Sequence, residues 1–74
     1  MTEACKKEVE RYVSRIRNQR KYAWARWVAD VKVYGSKRPS PAEHPGAMAQ
    51  QAIRMRIDEI IEKHKGDSPH DILQ

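Results

Sequence analysis

Apolar side chains recur near the start of the chain at Cys5, Val9, Tyr12, Val13 and Ile16. That is the i, i+3, i+4 spacing of a helix with one buried face. Thr2 can cap this helix through its hydroxyl, and Glu3 suits the first turn. After the polar run Asn18-Gln19-Arg20-Lys21 the pattern resumes at Ala23, Trp24, Trp27, Val28, Val31 and Tyr34. On a wheel of about 100° per residue, Val9, Val13, Ile16, Trp27, Val31 and Tyr34 fall within a stripe of about 60°. Two arrangements fit: one long helix over about 3–33, or a pair broken near 18–21. Arg20 bears on the choice, because a continuous helix places it in the middle of the apolar stripe, where its head must snorkel or find an acid. No Pro or Gly enforces a break. Val31-Lys32-Val33 also alternates like a short strand, but the chain offers it no partner strand. Such a strand could pair only with a sheet edge on another protein.

Gly35 to Gly46 is a linker by composition, with Gly35, Ser36, Pro39, Ser40, Pro41, Pro45 and Gly46. Ser40-Pro41-Ala42-Glu43 has the form of a capping box and predicts a single helical turn. A third amphipathic stretch follows, with Ala49, Ile53, Ile57, Ile60 and His64 on one stripe and Ile61 beside it. Lys63 and Lys65 suit its C-terminal dipole, and Gly66 suits the C′ position. Ser68-Pro69-His70-Asp71 repeats the start signal, with Ile72 and Leu73 able to pack as a last short turn. The pattern predicts an all-α fold: a small single domain of two or three helices with a Pro/Gly-rich linker. Its parts are a first helical region at about 3–34, a linker at 35–45, a main second helix at about 46–65 and a tail at 66–74.

With 74 residues and no Phe, the chain has apolar material for one thin core. A substrate pocket of about 300–1,000 Å³ would consume most of it, which argues against an enzyme. The net charge is +5 and unevenly placed. From Arg11 to Arg38 there are nine Lys/Arg against one acid, Asp30, a net of +8, and the remainder sums to −3. Clustered positive charge fits an anionic partner as well as a solvated surface. The single cysteine, Cys5, has no partner for a disulfide or a zinc pair and fits the buried stripe. Neither a signal-peptide run nor the ~20 apolar residues of a membrane span is visible. The expectation is a cytoplasmic protein, of its own cell or of a host cell, with no membrane contact.

Little in the chain suggests chemistry. His44, His64 and His70 have no metal-ligand spacing, and no cofactor is expected. His64 reads as a helix-terminal cation at the edge of the core. Asp58, Glu59 and Glu62 read as surface acids spaced to pair with Arg54, Arg56, Lys63 and Lys65, facing the basic first half. More specific is the row Arg11, Arg15, Gln19, Tyr22 and Arg26, whose spacings of four, four, three and four put it on one side of the first helical region. Guanidinium groups in a row can bridge phosphates or carboxylates, and a Tyr among them can stack on a base. Lys37 and Arg38 extend the positive charge into the linker. Trp24-Ala25-Arg26-Trp27 supplies much apolar area. Either both Trp are core, or Trp27 is core and Trp24 is a partly exposed interface anchor. Met48, Ala52 and Met55 lie opposite Ile53 and Ile57, an apolar second face for a partner or a terminal segment to cover.

Read whole, the chain resembles small bacteriophage transcription regulators that bind host RNA polymerase, of the Xanthomonas-phage inhibitor and antiterminator type. The resembling features are its length, its Arg-rich helix, Tyr22-Ala23-Trp24-Ala25-Arg26-Trp27, and Tyr34-Gly35-Ser36-Lys37-Arg38-Pro39-Ser40-Pro41. The resemblance implies inhibition of transcription initiation and help for elongating polymerase past terminators, with host polymerase subunits as partners. It carries no binding positions across. The candidate partner-binding residues come from the chain itself: Arg11, Arg15, Tyr22, Trp24, Arg26, Lys37, Arg38, Met48 and Met55. The alternative is a direct nucleic-acid-binding protein that meets RNA or DNA through the basic residues of 11–38.

Overall fold

The computed structural model describes residues 2–66. Three helices make up the fold: α1 (Glu3–Arg15), α2 (Tyr22–Tyr34) and α3 (Ala47–Gly66). Each packs against the other two. No strand occurs among the described residues. The predicted last turn, from Ser68 to Leu73, lies outside them.

The first helical region is therefore a pair. α1 opens on Thr2, whose Oγ1 accepts from the Cys5 N–H at 3.2 Å. It ends in a run of tight turns rather than at a Gly or Pro. Ile16 and Arg17 donate to Val13 and Ser14, then Gln19 donates to Ile16 and Tyr22 to Gln19. These i→i+3 bonds keep the backbone satisfied while the chain changes direction. Arg20 stands on this turn, exposed, 3.4 Å from Glu43. The break thus removes the charge from the apolar stripe.

α2 closes at Gly35, which adopts φ 65°. Its N–H reaches the Val31 carbonyl and that of Ser36 reaches Asp30, a left-handed helix end that favours glycine. Val31-Lys32-Val33 is helical and not a strand. The linker that follows carries only a bend at Ala42, so the turn predicted for Ser40–Glu43 does not form. With Pro41 and Pro45 lacking amide hydrogens, α3 starts instead at Ala47. The Gly46 carbonyl accepts from the Gln50 amide at 2.9 Å, and the Gln50 side chain reaches back to the Pro45 carbonyl at 2.8 Å. α3 runs through Gly66, one residue past the predicted end.

The core is built from Cys5, Val9, Val13 and Ile16 of α1 and its following turn, Trp24, Ala25, Val28 and Ala29 of α2, and Ile53, Ile57 and Ile60 of α3. The α1 and α3 stripes are those the spacing predicts. The α2 face differs. Trp24 is 2% exposed and Trp27 only partly buried, while Val31 and Tyr34 are 37% and 52% exposed. The cause is the break: once the chain turns, the phase of α1 no longer sets which side of α2 faces the core. Ala25 and Ala29 bring the α2 backbone close, and Trp24 fills the space beside them.

Candidate binding surface

The described surface divides into three regions, and the predicted binding residues are distributed among them. Arg26 belongs to a knot of charge. Its guanidinium donates twice to Glu10 of α1, Nη1 to Oε1 and Nη2 to Oε2, each at 2.6 Å. Nε and Nη2 also donate to Oδ1 of Asp30, at 3.1 and 2.7 Å. Arg38 donates to the other Asp30 oxygen, and its carbonyl accepts from Trp27 Nε1 at 2.8 Å. The knot ties α1 to α2 and pins the start of the linker across Trp27. The hydrogen bonds to Glu10 hold the Arg26 guanidinium more firmly protonated than usual, against its partial burial, with those to Asp30 adding to the effect. The reading of Arg26 as one of a row of outward cations is thus corrected: the turn at residues 16–21 splits the row, and two carboxylates occupy Arg26. Arg38 is exposed but likewise engaged by Asp30. Tyr22 packs, partly buried, against the core.

Trp24 is a second correction. It is a core residue, overlaid by the Arg54 guanidinium 5.5 Å from its ring and by Trp27 at 6.2 Å between centroids. An interface anchor it is not, because no face of the ring is open. The alternative, that Trp24 is core, is the one the structure supports.

Across α1 and α3, Glu8 lies 2.8 Å from His64 Nε2 and 3.1 Å from Lys63 Nζ. His64 does sit at the core edge, partly buried, as its place on the stripe suggests. Asp58 reaches Lys32 of α2 at 2.8 Å, and Glu59 and Glu62 pair with Arg56 and Lys65 along α3. Of the predicted surface acids, then, Asp58 faces the basic first half and the other two stay on their own helix. Burial pushes the Cys5 thiol up, in keeping with a buried apolar role.

Two groups of residues remain open. On α1, Arg11 and Arg15 are exposed, in line with Lys7, and Arg17 and Lys21 continue the charge into the turn. Among the described residues none of these five makes an ion pair. Lys37 of the linker is also exposed and unpaired among them. Lys7 lies outside the row the sequence pattern singles out, although its spacing of four from Arg11 places it on the same side of α1. On α3, Met48 is 86% and Met55 61% exposed, opposite the buried Ile53 and Ile57. No helix among the described residues is long and apolar enough to cross a membrane.

The carboxylates that tie the helices together give a pH prediction. Hydrogen bonds from His64, then Lys63, hold the Glu8 carboxyl below its usual range, and those from Arg26 do the same for Glu10. Both folded values lie below the unfolded value of about 4.3. Their contribution is therefore complete above that pH and is lost as pH falls through the folded values. Melting midpoints should be level down to about pH 5 and decline below about pH 4.3. Glu10→Gln should lower the neutral midpoint and flatten the acid decline, as followed by circular dichroism.

Comparison with protein-family models, with curated proteins and with solved structures finds no match to this chain.

Proposed function

We propose that this chain is a non-catalytic regulator that binds bacterial RNA polymerase, inhibits initiation, promotes antitermination, and docks through the outer face of α3. The observation that carries the docking surface is the Met48–Ala52–Met55 line. Met48 and Met55 are seven residues apart, two turns of one helix, and both stand in solvent while the other side of α3 buries three isoleucines. Methionine is flexible and polarizable, which suits an adaptable contact on a large protein. α3 is held by its core face, so the Met line is presented on a rigid element and little ordering accompanies binding. The choice of polymerase rests on the resemblance of the Tyr22–Trp27 and Tyr34–Pro41 strings to phage regulators. With Trp24 in the core, those strings support the scaffold rather than the contact.

Such a protein works by differential binding: it favours the polymerase state that lacks an initiation factor and disfavours the one that holds it. Its place of action is the cytoplasm of the host cell. The test begins with a pulldown from nuclease-treated bacterial lysate, followed by titration against purified polymerase. Polymerase subunits should be retained after nuclease treatment. Met48→Ser/Met55→Ser should weaken the titrated affinity by roughly a hundredfold or more, since burying each Met is worth about 1.5–3 kcal/mol and 1.4 kcal/mol is tenfold. Its melting midpoint should be unchanged. Retention that disappears with nuclease would point to the nucleic-acid alternative instead.

A further inference from the structure

We infer that the outward ridge of α1 binds the phosphate backbone of duplex nucleic acid without reading its sequence. This surface is separate from the Met face of α3, and the inference stands independently of the polymerase reading.

The ridge is made by segregation. α1 carries three acids as well as its bases, and each acid is engaged. Glu3 lies 3.7 Å from Lys6, Glu8 meets His64 and Lys63, and Glu10 meets Arg26. Facing solvent with no ion pair among the described residues are Lys7, Arg11 and Arg15, opposite the buried Val9 and Val13, with the exposed Glu3 at the N-terminal end of the ridge. Arg17 and Lys21 prolong the charge through the turn. Four-residue steps place successive cations about 6 Å apart, so Lys7 to Arg15 spans about 12 Å. Duplex DNA carries one charge per roughly 1.7 Å of axis, or about seven over that length. Every cation of the ridge can then find a phosphate with no particular register.

The composition of the ridge argues for this occupant over others. Single-strand binders join a basic track to exposed aromatic faces on which bases stack. Here Tyr12 and Tyr22 pack against the core and Trp24 is buried. The one exposed ring beside the ridge, Tyr34, lies under the Lys6 ammonium, 5.7 Å from its centre, and its hydroxyl donates to Glu10, so the ridge offers no succession of free aromatic faces. Protein interfaces gather apolar or aromatic anchors at their centre and deplete charge there. Along the line of these cations stand Ser14 and, beyond it, Asn18, with Tyr34 at the flank beside Lys7 and Arg11 and no apolar anchor at the centre. An extended polyanion is the partner that needs none.

The experiment is fluorescence anisotropy with the full chain and two labelled DNA duplexes of unrelated sequence, titrated between about 50 and 200 mM salt. Three to five phosphate contacts give a slope of log affinity on log salt between about −2.7 and −4.5, a loss of roughly 40- to 500-fold over that range. Both duplexes should bind alike. Arg11→Gln/Arg15→Gln should reduce the slope by about 2, with an unchanged melting midpoint because both side chains are exposed. Met48→Ser/Met55→Ser should leave duplex affinity as it was. Absence of duplex binding at the lowest salt, an unaltered slope in the arginine variant, tighter binding to the single strand, or loss of duplex binding in the methionine variant would each overturn the assignment.

Discussion

Trp24→Ala should lower the melting midpoint by at least about 12 °C, whereas Trp27→Ala should leave a folded domain. The pattern of the sequence suggests the reverse order, so the pair tests the structure directly. Trp24 is buried among all three helices, with Arg54 and Trp27 against its ring. Truncating a buried Trp costs about 3–5 kcal/mol. A chain of this length has roughly 4–11 kcal/mol of stability in total. The substitution therefore removes a large share of it, and each kcal/mol is worth about 4–8 °C at this size. Trp27 is only partly buried, and its indole N–H donates to the Arg38 carbonyl. Losing that bond and part of the ring's packing costs about 1–2 kcal/mol. Thermal melts by circular dichroism at neutral pH separate the two. An equal fall for both variants would contradict the burial difference.

What hides the correct face of α2 from a reader of the sequence is its composition. Tyr22, Ala23, Trp24, Ala25, Trp27, Val28, Ala29, Val31, Val33 and Tyr34 leave few polar positions to mark the outside. With apolar residues nearly all round, carrying the phase of α1 forward selects Trp27, Val31 and Tyr34, and the turn at residues 16–21 makes that step invalid. A better guide was present. Arg26 and Asp30 are four apart and of opposite charge, so they form one polar edge of the helix. The side opposite that edge is centred on Trp24 and Val28, which is the buried one. α1 and α3 are legible because their polar residues are dense enough to leave one apolar stripe each. The ion pairs are another matter. Glu10 with Arg26 and Glu8 with Lys63 join residues far apart in sequence, and only the packed helices bring them together. For the same reason the open cations could not be told from the occupied ones: Arg11, Arg15 and Arg26 look alike until Glu10 and Asp30 are seen to hold the third. Met48 and Met55 were legible because the opposite face of their helix is plainly a core stripe.

Arg26→Met is expected to destabilise the domain by about 2 kcal/mol and to make it gain stability in mild acid, where the native chain holds level. The side chain is about three-quarters covered and holds two carboxylates. The cost lies between the ~1 kcal/mol of an exposed pair and the 3–5 kcal/mol of breaking a buried one. Methionine keeps the length and the apolar stem, so packing is largely spared and the change reports on charge. Glu10 then loses the Arg26 hydrogen bonds, the largest influence lowering its proton affinity, and keeps only the long one from Tyr34, while its burial and the repulsion from Asp30 both act to raise it. Its folded value should move above the unfolded value of about 4.3. A group raised in the folded state stabilises the fold when protonated and loses that contribution as pH climbs through the folded value. From pH 7 down to about pH 5 the native chain should therefore hold its midpoint level while the variant gains. Adding Glu10→Gln to Arg26→Met should recover part of the loss at neutral pH and abolish the gain in acid, because the uncompensated carboxylate is gone. If Arg26→Met instead melts alike at both pH values, Glu10 is relieved by some other cation, and the knot does not hold α1 against α2 in the way its geometry indicates.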